Sequence, residues 1–126
     1  MATTRGEYRS RSREMVEVGY FLARFSEARV RGKPLPPDET GARAWGAAYD
    51  IFHEKLGCGR PLIQFRNTLK NSRDEFDGFF DNGRQGWKES DGTPARLRQL
   101  QHAVFEELQL LDRDACWKRI RQHASG

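Results

Sequence analysis

An all-α single domain, a compact bundle of about five helices, is the fold this sequence predicts. Three observations point to it. Apolar residues return at steps of three and four through most of the chain, no segment alternates with period two for long enough to make a strand, and Gly- or Pro-bearing breaks separate the periodic runs. The 126 residues are one domain's worth and can bury a core without disulfide or metal staples.

The first helix is expected from about Tyr8 to Ala28, where Met15, Val18, Phe21, Leu22 and Phe25 form one apolar stripe. Its opening YRSRSRE is polar all round, so residues 1–13 read as a basic arm that frays. The segment RGKPLPPDETG, with three prolines and two glycines, ends it and brings Asp38 and Thr40 as candidate N-caps. A second helix carries Trp45, Tyr49, Phe52 and Leu56 and stops at Gly57. GCGRP is a tight turn that sets Pro61 at the first position of a third helix. That helix has the longest stripe in the chain: Leu62, Phe65, Leu69, Phe76 and Phe79 or Phe80. DNGRQGWKESDGTP, residues 81–94, is a Gly-rich polar loop, and Thr93 before Pro94 is a candidate cap for a fourth helix built on Leu97, Leu100, Val104 and Leu108. Asp112 or Asp114 caps a last helix holding Cys116, Trp117 and Ile120.

The net charge is +4, and 17 Arg stand against 5 Lys. Arg presents a planar fork of donors suited to phosphate and to guanine edges, although Arg richness also follows from base composition of a genome. Residues 1–37 balance at +4, 38–93 at −2 and 94–126 at +2, so basicity sits at the two ends. Terminal helices packed side by side would make one positive face. No apolar run approaches the ~18 residues needed to span a bilayer, so no membrane partner is expected. The N-terminus lacks the apolar segment of a secretory signal, and Cys58 and Cys116 show neither metal-ligand spacing nor a disulfide framework. The expectation is a cytoplasmic protein with reduced thiols and no cofactor.

The stretch FRNTLKNSRDEFD, residues 65–77, sets Arg66, Lys70 and Arg73 on one flank of the third helix and Asn67, Asn71 and Asp74 on the next stripe. Arg and Asn are residue types that read base edges in a major groove, and a helix following another through a short Gly-containing turn suggests helix-turn-helix docking. The competing reading makes Lys70–Asp74 and Arg73–Asp77 ordinary four-apart ion pairs on a solvated face. In NGRQGWK, Trp87 lies between Arg84 and Lys88, an arrangement suited to stacking on a base; the commoner fate of a loop Trp is to fold back into the core. YRSRSR at 8–13 and RIRQH at 119–123 are further basic patches.

No catalytic constellation stands out. Asp50, His53 and Glu54 share a helical side as the start of a metal site, with His102 and Glu106 a second pair, but the Glu-x-x-His signature of carboxylate-bridged bundles is absent. Cys58 lies just past a helix C-terminus, the end that disfavours a thiolate. RLRQLQH resembles the HEPN ribonuclease motif, in which an Arg precedes a His by four to six residues; Arg96 and His102 match that spacing, and Leu97 stands where that family favours a polar residue.

The run LGCGRPLIQFRNTLKNSRDEFD followed by NGRQGW resembles helical N-terminal accessory domains of bacterial restriction and HNH-type nucleases, over residues 14–87 at most. The resemblance implies a DNA-associated or target-sensing module in a defence setting, with the cutting chemistry on another domain. The resulting expectation is a small non-enzymatic nucleic-acid-binding or nuclease-accessory module, with DNA ahead of RNA. Its contacts would be Arg66, Lys70, Arg73, Arg84 and Lys88 to phosphate, Asn67 and Asn71 to bases, and Trp87 in stacking. A protein–protein adaptor is the alternative, and a HEPN-like ribonuclease the second.

Overall fold

Ser12 opens the first helix. Its backbone is extended and its hydroxyl accepts from the Met15 N–H, satisfying one of the donors a helix start leaves open. The computed structural model describes residues 12–28, 34–80, 84 and 86–125. Within them run six α-helices: α1 (Arg13–Arg24), α2 (Trp45–Asp50), α3 (His53–Leu56), α4 (Leu62–Asp77), α5 (Gln99–Leu108) and α6 (Arg113–Ile120). Two-residue strands β1 (Glu27–Ala28) and β2 (Pro34–Leu35) pair antiparallel, and 3-10 turns occupy Asp38–Thr40 and Arg121–His123. The fold is all-α, as the spacing predicts.

The core is organised by α1 lying across α4. Every residue from Met15 to Ala23 is buried, and α4 sends Phe65, Leu69, Ser72 and Phe76 into the same interior. At the crossing, a β-carbon on Gly19 would stand 2.2 Å from Ser72 Oγ, so only glycine lets the two backbones approach this closely. The Ser72 hydroxyl donates to the Met15 carbonyl at 2.8 Å across that contact. Tyr20 meets the rings of Phe76, Phe80 and Phe105 edge-on at 5.4, 5.6 and 5.5 Å, and Phe21 lies 5.2 Å from Trp117. Such pairs add about 0.5–1.5 kcal/mol each beyond the area they bury. Val104, Leu108, Cys116 and Ile120 close the core from α5 and α6.

Several boundaries differ from the sequence expectation, each for a local reason. The first helix stops at Arg24 rather than near Ala28, because Ser26 turns its hydroxyl back to the Leu22 carbonyl and the chain enters β1. Asp38 and Thr40 do not cap a helix. The Thr40 hydroxyl donates to the Pro37 carbonyl and accepts from the Ala42 N–H, closing a 3-10 turn, and α2 starts later behind Ala44 with no side-chain cap. The expected second helix splits into α2 and α3 because the Phe52 N–H takes the Tyr49 carbonyl and the Ile51 carbonyl is engaged by the Ser125 N–H at 2.7 Å. Thr93 bonds Asp91 through both its N–H and its hydroxyl, whereas α5 starts at Gln99 with Arg98 at the cap position. Asp112 does cap the last helix, accepting from the Ala115 N–H at 2.8 Å.

The segment expected as a loop contains a small hairpin. Glu89 N–H donates to the Thr93 carbonyl, Ala95 N–H to the Trp87 carbonyl, and Lys88 faces Pro94 between them. Gly92, with φ +89°, makes its turn. Gly86, with φ +67°, sits so close to the end of α4 that a β-carbon there would lie 2.5 Å from the Gly78 nitrogen. The hairpin therefore docks on the last turn of α4. Of the expected N-terminal arm, Ser12 caps α1 and Arg13 begins it, and residues 1–11 lie outside the described residues. Among the described residues no helix is long and apolar enough to cross a membrane.

Candidate functional site

Helical geometry decides what each polar residue of α4 meets. With Phe65, Leu69, Ser72 and Phe76 inward, Arg66, Arg73 and Asp77 fall toward α2, Glu75 toward α5, and Asn67, Lys70 and Asn71 toward solvent. The flank toward α2 is charge-matched. Arg66 grips Asp50 with two bonds of 2.7 and 2.6 Å, which hold the Asp50 carboxyl below its ordinary value. Arg73 is buried, donating to Asp77 at 3.0 Å, to Asp74 at 2.8 Å and to the Tyr49 hydroxyl at 2.6 Å. Burial pushes the Tyr49 phenol up to about 12, so it stays neutral and serves as an acceptor. Arg84 enters from the chain beyond α4, 4.3 Å from the centre of the Trp45 ring, and reaches the Ser26 hydroxyl at 3.0 Å and Asp77 at 3.5 Å. Lys70 pairs with Asp74 at 3.1 Å. Lys70, Arg73 and Arg84 thus line one hollow of about 390 Å³ with Trp45 and Tyr49, but Asp74 and Asp77 balance most of their charge.

The terminal helices do pack side by side, and their cations turn inward. Arg13 and Arg119 both bond Glu17, at 3.0 Å each, and both reach Glu107, at 2.8 and 2.6 Å. His123 Nε2 lies 3.2 Å from the other Glu17 oxygen. Burial works to raise the Glu17 carboxyl, but the His123 hydrogen bond and the Arg119 and Arg13 guanidiniums hold it below its ordinary value. In RIRQH only Arg121 and Gln122 face solvent freely enough to count as exposed. The expected positive face is therefore neutralised at its centre.

The other end of α4 is different. Trp87 is 41% exposed at the base of the hairpin, beside exposed Lys88. The returning strand runs through Ala95 into an open cleft of about 860 Å³ lined by Phe79, Pro94, Arg96, Leu97, Arg98 and His102. Phe79 follows the end of α4 at Asp77 and is 38% exposed, its ring edge resting on Phe105 at 5.8 Å; Phe80 takes the core position instead. Arg98 pairs with buried Glu75 at 3.0 Å while staying 57% exposed. Among the described residues no acid lies within ion-pair distance of the Arg96 guanidinium. Its backbone N–H donates to Glu89 at 2.8 Å, tying the hairpin to the cleft wall.

Of the eight residues singled out from the sequence, Arg66 pairs with Asp50 on α2, Arg73 with Asp74 and Asp77 of its own helix while donating to Tyr49 on α2, and Arg84 ties the chain beyond α4 to Asp77. Asn67, Lys70 and Asn71 remain as a solvent stripe, and Trp87 and Lys88 as an exposed pair on the hairpin. The sequence offers Arg96 as half of a catalytic motif, His102 as its other half or as a metal ligand with Glu106, and Phe79 as core; the structure gathers all three in one cleft. Their juxtaposition depends on the hairpin folding back, which no spacing rule reports. The possible metal half-site disperses: Asp50 is held by Arg66, His53 Nε2 bonds the Arg60 carbonyl at 2.8 Å, and Glu54 faces solvent. Among the described residues no three His, Cys, Asp or Glu side chains gather as a metal site. Cys58 is exposed, and Cys116 is buried with its thiol pushed up to about 11 by that burial. Comparison with known proteins finds no family model, no curated sequence and no solved structure that matches this chain.

Proposed function

We propose that this chain binds nucleic acid without cutting it, as a helical module that accompanies a separate cleaving domain in the defence setting its sequence resemblance implies. The observation that carries the reading is Trp87, which stays 41% exposed beside Lys88 on an ordered hairpin instead of filling the core. An aromatic face next to a cation is what stacking on a base with a neighbouring phosphate requires. Lys70 and Lys88 contact phosphate, and Asn67 and Asn71 supply amide edges on the adjoining stripe of α4. Arg66, Arg73 and Arg84 hold the scaffold beneath them, and DNA is expected ahead of RNA.

Fluorescence anisotropy of labelled duplex DNA, single-stranded DNA and RNA from about 50 to 200 mM salt tests this, since each neutralised phosphate steepens the salt dependence by roughly 0.9. Binding that weakens with salt and falls in a Trp87→Ala, Lys88→Ala variant supports it. Absence of binding at the lowest salt overturns it and turns attention to a protein partner, for which exposed Leu62 and Ile63 at the α3–α4 corner are the apolar candidates.

One geometric fact favours a second reading. Arg96 and His102 line the same cleft, the arrangement an Arg–His ribonuclease needs. RNA cleavage abolished in His102→Ala would support it; intact RNA after prolonged incubation with the wild-type protein ends it.

A further inference from the structure

The cleft between the end of α4 and the start of α5 combines three properties. Its floor carries an exposed aromatic face, Phe79, with Pro94 and Leu97 beside it. Its rim carries Arg96 and Arg98, of which Arg98 pairs with Glu75 and Arg96 has no acid within ion-pair distance among the described residues. Its volume of about 860 Å³ is open to solvent and falls in the size range of pockets that enclose small organic ligands. A flat ring with an apolar surround and an anion-attracting edge is complementary to a nucleobase and its phosphate.

We infer that this cleft takes an unpaired base, so that the chain's ligand is a single strand rather than a duplex; the inference rests on the nucleic-acid reading above. The reason is access. In a duplex both faces of each base are covered by its neighbours, and only edges and phosphates are offered to a protein. An aromatic side chain stacks on a base only where the strand is open. Phe79 and Trp87 are both exposed, and the strand that hydrogen-bonds Trp87 at Ala95 leads directly into the cleft wall at Arg96. A single strand crossing the hairpin base meets Trp87 and Lys88, then Phe79 with Arg96. Arg98 is anchored by Glu75 and gives the rim a fixed cation, while exposed Arg96 is the donor to phosphate. Nothing in a duplex-binding surface would require Phe79 to face outward when Phe80, next in sequence, is packed against Tyr20 and Phe105.

The test compares anisotropy titrations of one labelled 15-nucleotide sequence as single-stranded DNA, as RNA and as duplex DNA, with wild-type, Phe79→Ala and Arg96→Ala proteins. Circular dichroism confirms that each variant is folded. The expected result is single-strand binding at least tenfold tighter than duplex binding. Phe79→Ala then weakens the single strand by roughly tenfold, as loss of one stacked aromatic does, and leaves the duplex unchanged. Arg96→Ala lowers the salt slope by about one phosphate. Preference for DNA or RNA in the single-strand arms identifies the source of the ligand. Equal single-strand and duplex affinity, or single-strand binding untouched by Phe79→Ala, overturns the single-strand inference and leaves the general reading standing. If Phe79→Ala proves unfolded, Phe79→Leu, which keeps the apolar volume and removes the flat face, decides the same question. No binding by any probe at 50 mM salt overturns both.

Discussion

The two ends of the polar surface around α4 draw on the same residue types and put them to opposite uses. Toward α2, Arg66, Arg73 and Arg84 each find a carboxylate; Arg73 is buried, Arg84 largely so, and Arg66 lies half-exposed against Asp50. Toward α5, Arg98 pairs with Glu75, Arg96 meets no acid among the described residues, and both stay exposed beside Phe79. What separates them is not the cation but what stands across from it. A buried guanidinium must be matched, because leaving one charge unpaired in the interior costs several kcal/mol. An exposed one is free to be matched by a ligand.

The comparison breaks most visibly at Asp77. It is fully buried and takes the Arg73 Nε donor at 3.0 Å, with Arg84 at 3.5 Å. Asp77→Ala should cost about 2–3 kcal/mol, the range for losing a charged acceptor of buried donors, since Arg73 keeps Asp74 and Tyr49; urea unfolding reads it, and a loss below about 1 kcal/mol would mean the flank is far wetter than its geometry. Tyr49→Phe removes one acceptor of Arg73 and should cost about 1–2 kcal/mol by the same measurement.

Acid probes the locked regions together. The carboxyls of Glu17, Asp50 and Asp74 all lie below their ordinary values in the folded chain. For Glu17 burial opposes this and the His123, Arg119 and Arg13 contacts prevail, for Asp50 the Arg66 bond leads, and for Asp74 Arg73 and Lys70 overcome burial. A carboxyl that titrates lower when folded contributes stability above its unfolded value, and that contribution is lost as pH falls through the folded one. The melting temperature should therefore hold above pH 4.5, the unfolded value for Glu, and drop below it. Glu17→Gln should lower the plateau and flatten the drop; an unchanged profile would remove Glu17 from the account.

The smallest effects sharpen the contrast. Arg66→Ala should move the melting temperature slightly and leave nucleic-acid affinity within about twofold, since only a half-exposed, solvent-screened pair is lost. Arg96→Ala should do the reverse, leaving melting unchanged and altering binding. If both variants behaved alike, the division between the two ends would be wrong.

How far the sequence reveals this follows from the range of the interactions. The stripe of α1, the Phe65, Leu69 and Phe76 positions of α4 and the Asp112 cap are readable because the residues that define each lie within a turn or two. Leu62, expected on the same stripe, is exposed because no element among the described residues packs over the first turn of α4 at that side. The Arg73–Asp77 pair is readable too, but not its burial, which comes from Tyr49 on another helix. The break at Ile51–Phe52 is hidden because Trp45, Tyr49, Phe52 and Leu56 keep helical steps across it while Ser125, far along the chain, engages the Ile51 carbonyl. The cleft is hidden for the same reason: Phe79 and His102 meet only through a folded hairpin.

The Gly19–Ser72 crossing bears on how the chain reaches this structure. The hydrogen bond that spans it joins residues 57 apart, so the two most buried helices are not neighbours in sequence. Closing such a loop costs entropy before any of the core repays it, which slows folding relative to a bundle of successive hairpins. During synthesis, α1 has no surface to bury against until α4 has left the ribosome. A nascent chain ending before Leu62 would hold the whole α1 stripe, Met15 to Ala23, in water, and that interval is when chaperone binding or aggregation would act on it.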